Sequence, residues 1–150
     1  MGSCVPEVIG ALVALGGVDD ALDGVVISDG PEVTDTAARE WLVVGFDGDP
    51  EGDFQAAQTV GGWSDLRTGR EETFQVTVAA IASRGDTDVP AARRRAYEIG
   101  AVVEGWLRAD PSIGLPSLEA GVEGTRLTQD QTDQGVQVVL LLTVAGRAFT

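Results

Sequence analysis

The spacing of apolar residues changes once, abruptly, within residues 72–110, and that change limits the fold more than any other feature of the chain. In Thr73-Phe74-Gln75-Val76-Thr77-Val78-Ala79-Ala80-Ile81-Ala82, apolar side chains return every second residue at Phe74, Val76, Val78, Ala80 and Ala82, the period of one buried face of a β-strand. After Ser83-Arg84-Gly85-Asp86-Thr87-Asp88 they recur three and four residues apart, at Ala92, Ala96, Ile99, Val103 and Trp106 or Leu107, the period of a helix with a single apolar stripe. A strand therefore feeds a long amphipathic helix. Thr87 or Asp88 can accept N–H groups of its first turn. Pro90 fits there because its missing N–H would have no partner, and Pro111 blocks continuation beyond Asp110.

The flanking segments complete an alternating pattern. Val5, Val8, Ile9, Leu12, Val13 and Leu15 predict a short helix beginning near Pro6 and ending at Gly16-Gly17, with Leu22 as a satellite anchor. Val25-Val26-Ile27 reads as a short strand closed by the turn signal Ser28-Asp29-Gly30-Pro31, and Trp41-Leu42-Val43-Val44-Gly45-Phe46 reads as a strand after a polar passage over residues 32–40. Residues 57–63 predict an extended edge piece, followed by an exposed loop at 64–70. Beyond the long helix, residues 110–121 read as loop, 122–127 as a strand, 128–135 as a polar connection, and 136–148 as the last strand. The expected class is α+β, a mainly antiparallel sheet packed with one long and one short helix. The strand–helix–strand step around residues 73–127 adds one crossover connection.

Length and composition bound the function. At 150 residues the chain fits one domain that buries roughly 68–70 % of its unfolded surface and needs no covalent staple. Cys4 is the single cysteine and there is no His, so an intrachain disulfide is impossible and the usual zinc and transition-metal sites are disfavoured. The longest apolar run, residues 138–142, is too short to span a bilayer, and no basic segment precedes the apolar residues near the start; a membrane or secretory role is not expected. Acidic residues outnumber basic ones 24 to 10, every basic residue is Arg, and the formal charge is −14. Such a surface repels nucleic acid and anionic membranes.

Four local features bear on function. Asp47, Asp49, Glu51 and Asp53 place four carboxylates in seven residues. Calcium is one reading, since that ion takes oxygen ligands at alternate positions, but the twelve-residue calcium loop needs a terminal Glu that Phe54-Gln55-Ala56-Ala57-Gln58 does not supply. The other reading is a solvated Gly/Asp turn between strands. Arg93-Arg94-Arg95 forms the basic cluster of the long helix, with Arg94 and Glu98 spaced to pair. It reads either as a solvated helix face or as a contact for a partner's acidic surface or a phosphate backbone, although three Arg residues in so negative a chain are a thin footprint for nucleic acid. Trp63, flanked by glycines and polar residues, reads either as an exposed anchor or as a residue packed into the core or its loop. Finally, Val136, Val138, Leu140, Leu142 and Val144 line one side of the last strand while Val139 and Leu141 make its other side apolar. A strand apolar on both faces is covered twice, by a helix on one side and by another element or a neighbouring subunit on the other.

Catalytic chemistry has little to work with. There is no His to shuttle protons and no Lys for a Schiff base, and Cys4 has no base near it in sequence. Carboxylates meeting in space remain the one route to hydrolysis. The glycine pairs Gly16-Gly17 and Gly61-Gly62 lack the strand, loop and helix context of a phosphate-cradling loop. No cofactor is expected.

The chain resembles the tail terminator (tail completion) proteins of long-tailed, non-contractile bacteriophages that infect high-GC bacteria. The resemblance is carried by the order and spacing of Val25-Val26-Ile27-Ser28-Asp29-Gly30-Pro31, Trp41-Leu42-Val43-Val44-Gly45-Phe46-Asp47-Gly48-Asp49, Gly85-Asp86-Thr87-Asp88 before the Arg-rich helix with Ala96-Tyr97, Leu107-Arg108-Ala109-Asp110-Pro111, and Leu127-Thr128-Gln129-Asp130-Gln131-Thr132-Asp133-Gln134-Gly135. It covers most of residues 20–148. It implies an α+β virion protein without catalytic activity. Such a protein is assembled in the host cytoplasm as a homohexameric ring at the tail–neck junction, where it stops polymerisation of the tail tube and joins tail to head. The implied partners are the major tail tube protein and a head–tail connector or neck protein, and genome DNA passes through without specific binding, which suits a negative lumen. A head–tail adaptor or stopper of the same joint is the nearest rival.

On that resemblance three regions are expected at interfaces. They are the outer face of the last strand at Val139 and Leu141; the loops carrying Asp47, Asp49, Asp53, Trp63, Arg67 and Arg70; and Arg93, Arg94 and Arg95 of the long helix.

Overall fold

The protein is described from a computed structural model, over residues 3–31, 39–49, 52–61 and 71–149. The strand predicted from the alternating run is β4, Glu71–Arg84, and the long helix is α2, Val89–Ala109. Asp88 takes the cap: its carboxylate accepts the N–H of Ala91 at 3.1 Å. Asp86 accepts the N–H of Asp88 at 3.0 Å and holds the capping residue in place.

Among the described residues six strands form one sheet in the order β1-β2-β4-β6-β5, with β3 also on β4. Here β1 is Val26–Asp29, β2 Glu40–Val44, β3 Ala57–Gly61, β5 Leu118–Thr132 and β6 Gly135–Phe149. All pairs are antiparallel except β1 with β2, as the α+β reading requires. Because β6 lies between β4 and β5, the β4–α2–β5 step is a crossover that leaves one strand's width for the returning β6. β5 and β6 form a hairpin closed at Thr132 and Gly135, and Gly135 adopts φ +120° at the turn.

The helices cover one face. On that side Leu42, Val44, Phe74, Val76, Val78, Ala80, Val138, Leu140, Leu142 and Val144 are buried against Val8 and Leu12 of α1 (Val5–Val18) and Ala92, Ala96, Ile99, Val103 and Leu107 of α2. Gly100 lets α2 approach closely: a Cβ there would sit 2.8 Å from Leu140 Cδ2.

Three expectations are corrected. The first helix does not stop at Gly16-Gly17 but runs to Val18. Gly16 is small because the helix packs on Ile27, whose Cγ2 would be 3.0 Å from an added Cβ. Ser28 and Asp29 belong to β1, paired with Val43 and Val44, and the buried Ser28 hydroxyl donates to the Gly30 carbonyl at 2.8 Å. The strand expected at 122–127 starts four residues earlier and extends through the segment read as a polar connection, to Thr132. From Glu123 to Thr132 nearly every β5 side chain is exposed, so no alternation marked it as a strand.

Candidate assembly surface

β2 and β3 occupy the same edge of β4, interrupted by a ten-residue excursion. Val44 pairs with Val78, the Gly45 N–H reaches the Thr77 carbonyl at 2.7 Å, the Thr77 N–H reaches the Ala56 carbonyl at 2.9 Å, and Ala57 pairs with Val76. The edge leaves β4 after Gly45 and resumes at Ala56. Phe46 and Phe54, at the two ends of the excursion, stack with ring centroids 5.3 Å apart and planes 8° from parallel. Phe54 takes φ +58° to do so, a left-handed conformation that costs a non-glycine residue about 1–2 kcal/mol.

Phe46 and Gly48, at the start of the excursion, lie over the sheet face opposite the helices. On that face Val43, Ala79 and Ile81 are buried, with Trp41, Phe46, Val139 and Leu141 packed against them and partly exposed. A Cβ at Gly48 would lie 3.3 Å from Ile81 Cδ1 and 3.6 Å from Val139 Cγ1. The second apolar face of β6, inferred from Val139 and Leu141, is therefore real, and its own chain covers it in part. Asp47, Gly48 and Asp49 stand across a cleft of about 460 Å³ from Arg126, Thr128, Asp130 and Gln137, with Val139 and Leu141 between them.

Within the acidic loop the carboxylates serve the backbone. Asp47 Oδ1 accepts the Asp49 N–H at 2.8 Å, Asp53 Oδ1 accepts the Gln55 N–H at 3.1 Å, and the Gly52 N–H reaches the Asp49 carbonyl at 3.0 Å. These are the self-bonded turns that Asp favours. Among the described residues no group of three or more His, Cys, Asp or Glu side chains is placed to hold a metal ion.

The Arg cluster divides by role. Arg95 pairs with Glu40 at 3.0 Å and with Glu98 at 3.1 Å. Partial burial works against its charge, but these hydrogen bonds outweigh that effect and raise its pKa. Arg93 donates to Gln129 of β5 at 2.8 Å. The expected Arg94–Glu98 pair does not form, because Glu98 is taken by Arg95 at the three-residue spacing. Arg94 and Tyr97 point outward, with Tyr97 45 % exposed. Arg39 and Arg84 add to this corner around a second cleft of about 310 Å³ shared with Arg95. Half of the chain's ten arginines thus lie at one end of the helix layer.

Trp63, Arg67 and Arg70, with the whole expected loop at 64–70, lie outside the described residues. Of the others, the fold brings Asp47, Asp49, Val139 and Leu141 together on the outer face, and leaves Arg93, Arg94 and Arg95 on the helix side. Asp53 belongs to the returning arm of the excursion. Trp41, Phe46, Arg126 and Asp130 on the outer face, and Arg39, Arg84 and Tyr97 on the helix side, were not singled out as site residues from the sequence. The alternation Trp41, Val43 in β2 was a usable signal for the first.

No family model matches the sequence, and no curated protein matches it significantly. Among the described residues no helix is long and apolar enough to cross a membrane.

Proposed function

We propose that this chain is a structural subunit that assembles into a ring capping a phage tail tube, where it ends tube polymerisation and offers its other side to the neck. One observation carries the reading beyond the resemblance in sequence. The sheet has a complete core on its helix face and a second apolar cluster on the other face, whose members Trp41, Phe46, Val139 and Leu141 remain partly open. A domain with a finished core and a further half-covered apolar face has the anatomy of a subunit whose burial is completed by assembly. β5, 15 residues long, is the terminal strand of the described sheet, a place where a neighbouring chain can pair.

Cryo-electron microscopy of the assembled particle tests this directly. The reading expects a six-fold ring stacked on the last tube ring. Density against the portal-side connector instead assigns the chain to the head–tail adaptors or stoppers, and absence from a complete particle removes both readings.

A further inference from the structure

The helix layer and the outer sheet face carry surfaces of opposite character. On the outer side of α2, Arg94 and Tyr97 are exposed and three residues apart, so they project side by side from successive turns. Arg and Tyr are the residue types that most often anchor interfaces, because each buries a large, stiff, amphipathic group. On the far side of the sheet, the 460 Å³ cleft has Val139 and Leu141 between carboxylates: Asp47 and Asp49 from the excursion, Asp130 from the β5–β6 hairpin. Arg126 also lines it, and the three carboxylates outnumber that one guanidinium.

A single chain cannot join the two surfaces. Tyr97 and Arg94 lie on the side of α2 away from Leu140 and Leu142, and Val139 and Leu141 lie on the opposite face of that same strand. The helix surface presents the Arg94 guanidinium and the cleft a majority of carboxylates, so the two surfaces differ in sign. Each suits the other in charge, and the cleft offers apolar side chains to a phenol ring. A contact of this kind is heterologous and repeats head to tail, which is how rings arise when the rotation closes.

Resting on the ring reading above, we infer that the occupant of the outer cleft is a second copy of this chain, with its Tyr97 seated over Val139 and Leu141 and its Arg94 among Asp47, Asp49 and Asp130. The contact leaves Arg95 to its own Glu40 and Glu98.

Cysteine pairing tests it, because a disulfide forms only when the Cα atoms come within about 4.4–6.8 Å. The chain carrying both Y97C and L141C, with C4S removing the native thiol, is oxidised alone at high concentration and with tail tubes, then run on a denaturing gel beside each single variant in the same C4S background and inspected by electron microscopy. The expected result is a covalent ladder reaching six copies for the double variant and none for either single variant, with at least a tenfold loss of ladder when R94E is added. A ring on the tube without the ladder overturns the inference and leaves the ring reading standing. A ladder without a ring on the tube supports the head-to-tail contact and overturns the ring reading. Pairing within one single variant shows a two-fold contact and overturns the inference. As a check independent of disulfides, R94E/Y97A should keep the native circular dichroism and lose assembly; assembly at the wild-type level overturns the inference.

Discussion

The indole N–H of Trp106 donates to Asp19 Oδ2 at 2.7 Å across 87 residues of sequence. Asp19 closes α1, its own N–H reaching the Leu15 carbonyl at 3.1 Å, and opens the 3-10 turn Asp20–Leu22 by accepting the Ala21 N–H at 2.9 Å. One residue thus closes the first helix through its N–H, and through its carboxylate turns the chain toward β1 and ties that corner to the last turn of α2. Trp106 Nε1 has an acceptor, as a largely covered indole requires.

Asp19→Ala and Trp106→Phe should each lower Tm, and the double variant should lower it by less than the sum, because either change alone abolishes the shared bond. Thermal melts of the four proteins in the cycle give the answer. Strict additivity would show that the bond contributes nothing beyond packing.

Acid sensitivity should be concentrated below the ordinary carboxylate range. The Trp106 hydrogen bond, then the Ala21 N–H, lower the Asp19 pKa; the Ser112 hydroxyl lowers that of Asp110; and the Arg84 guanidinium, with the Asp88 N–H, holds Asp86 at about 2. A carboxylate whose folded pKa is depressed stabilises the fold above its unfolded pKa and loses that contribution as pH falls through the folded value. Denaturant midpoints should therefore be flat from neutrality to about pH 4 and fall toward about pH 2. Arg84→Gln should make that fall shallower, and an unchanged slope would count against the Arg84–Asp86 assignment.

Glycine substitutions should separate sharply by position. At Gly146 an added Cβ would run into the Glu119 carbonyl oxygen and lie 2.7 Å from Phe74 Cζ. Neither neighbour can yield without disturbing the sheet, so Gly146→Ala should cost about 3 kcal/mol. Gly135→Ala should be at least as harmful, since its φ is +120° and the new methyl would meet the Arg84 carbonyl. Gly105, on the exposed side of α2 with nothing within 4 Å of a new Cβ, should behave oppositely: Gly105→Ala should add about 0.8–1 kcal/mol. Urea titrations with a common m-value resolve the three.

Cys4 should be a poor nucleophile in the native protein. Burial first, then the hydrogen bond and the negative charge of Glu72, push its thiol up to about 12, and Glu72 also accepts the Cys4 N–H at 2.9 Å. A thiol-reactive chromophore at pH 8 should label the unfolded chain at least tenfold faster than the folded one, with Glu72→Gln in between. Equal native and unfolded rates would contradict this environment. The same raised pKa predicts stability lost as pH rises above about 9, where the unfolded thiol ionises and the folded one does not.

Some of this was legible in the linear chain because it depends on period and punctuation. The alternation from Phe74 to Ala82, the change to helical spacing at Ala92 and the capping carboxylate of Asp88 specify β4 and α2 by local geometry alone. With the strand signals around them they give the element order and the α+β class. The two apolar sides of β6 were visible for the same reason, since successive side chains of a strand face opposite ways. What lay beyond the sequence depends on pairing between distant segments. β5 is polar where it forms the outer edge of the sheet, so its backbone is ordered by β6 and its side chains carry no periodic trace. Gly16 reads as a helix terminator until Ile27 is seen against it. Above all, only the tertiary structure decides that Phe46 and Gly48, just after β2, lie over Ala79, Ile81 and Val139. That choice sets Asp47 and Asp49 across a cleft from Asp130, more than 80 residues away along the chain, because edge pairing to β4 is strong enough to resume at Ala56 once the loop has left it.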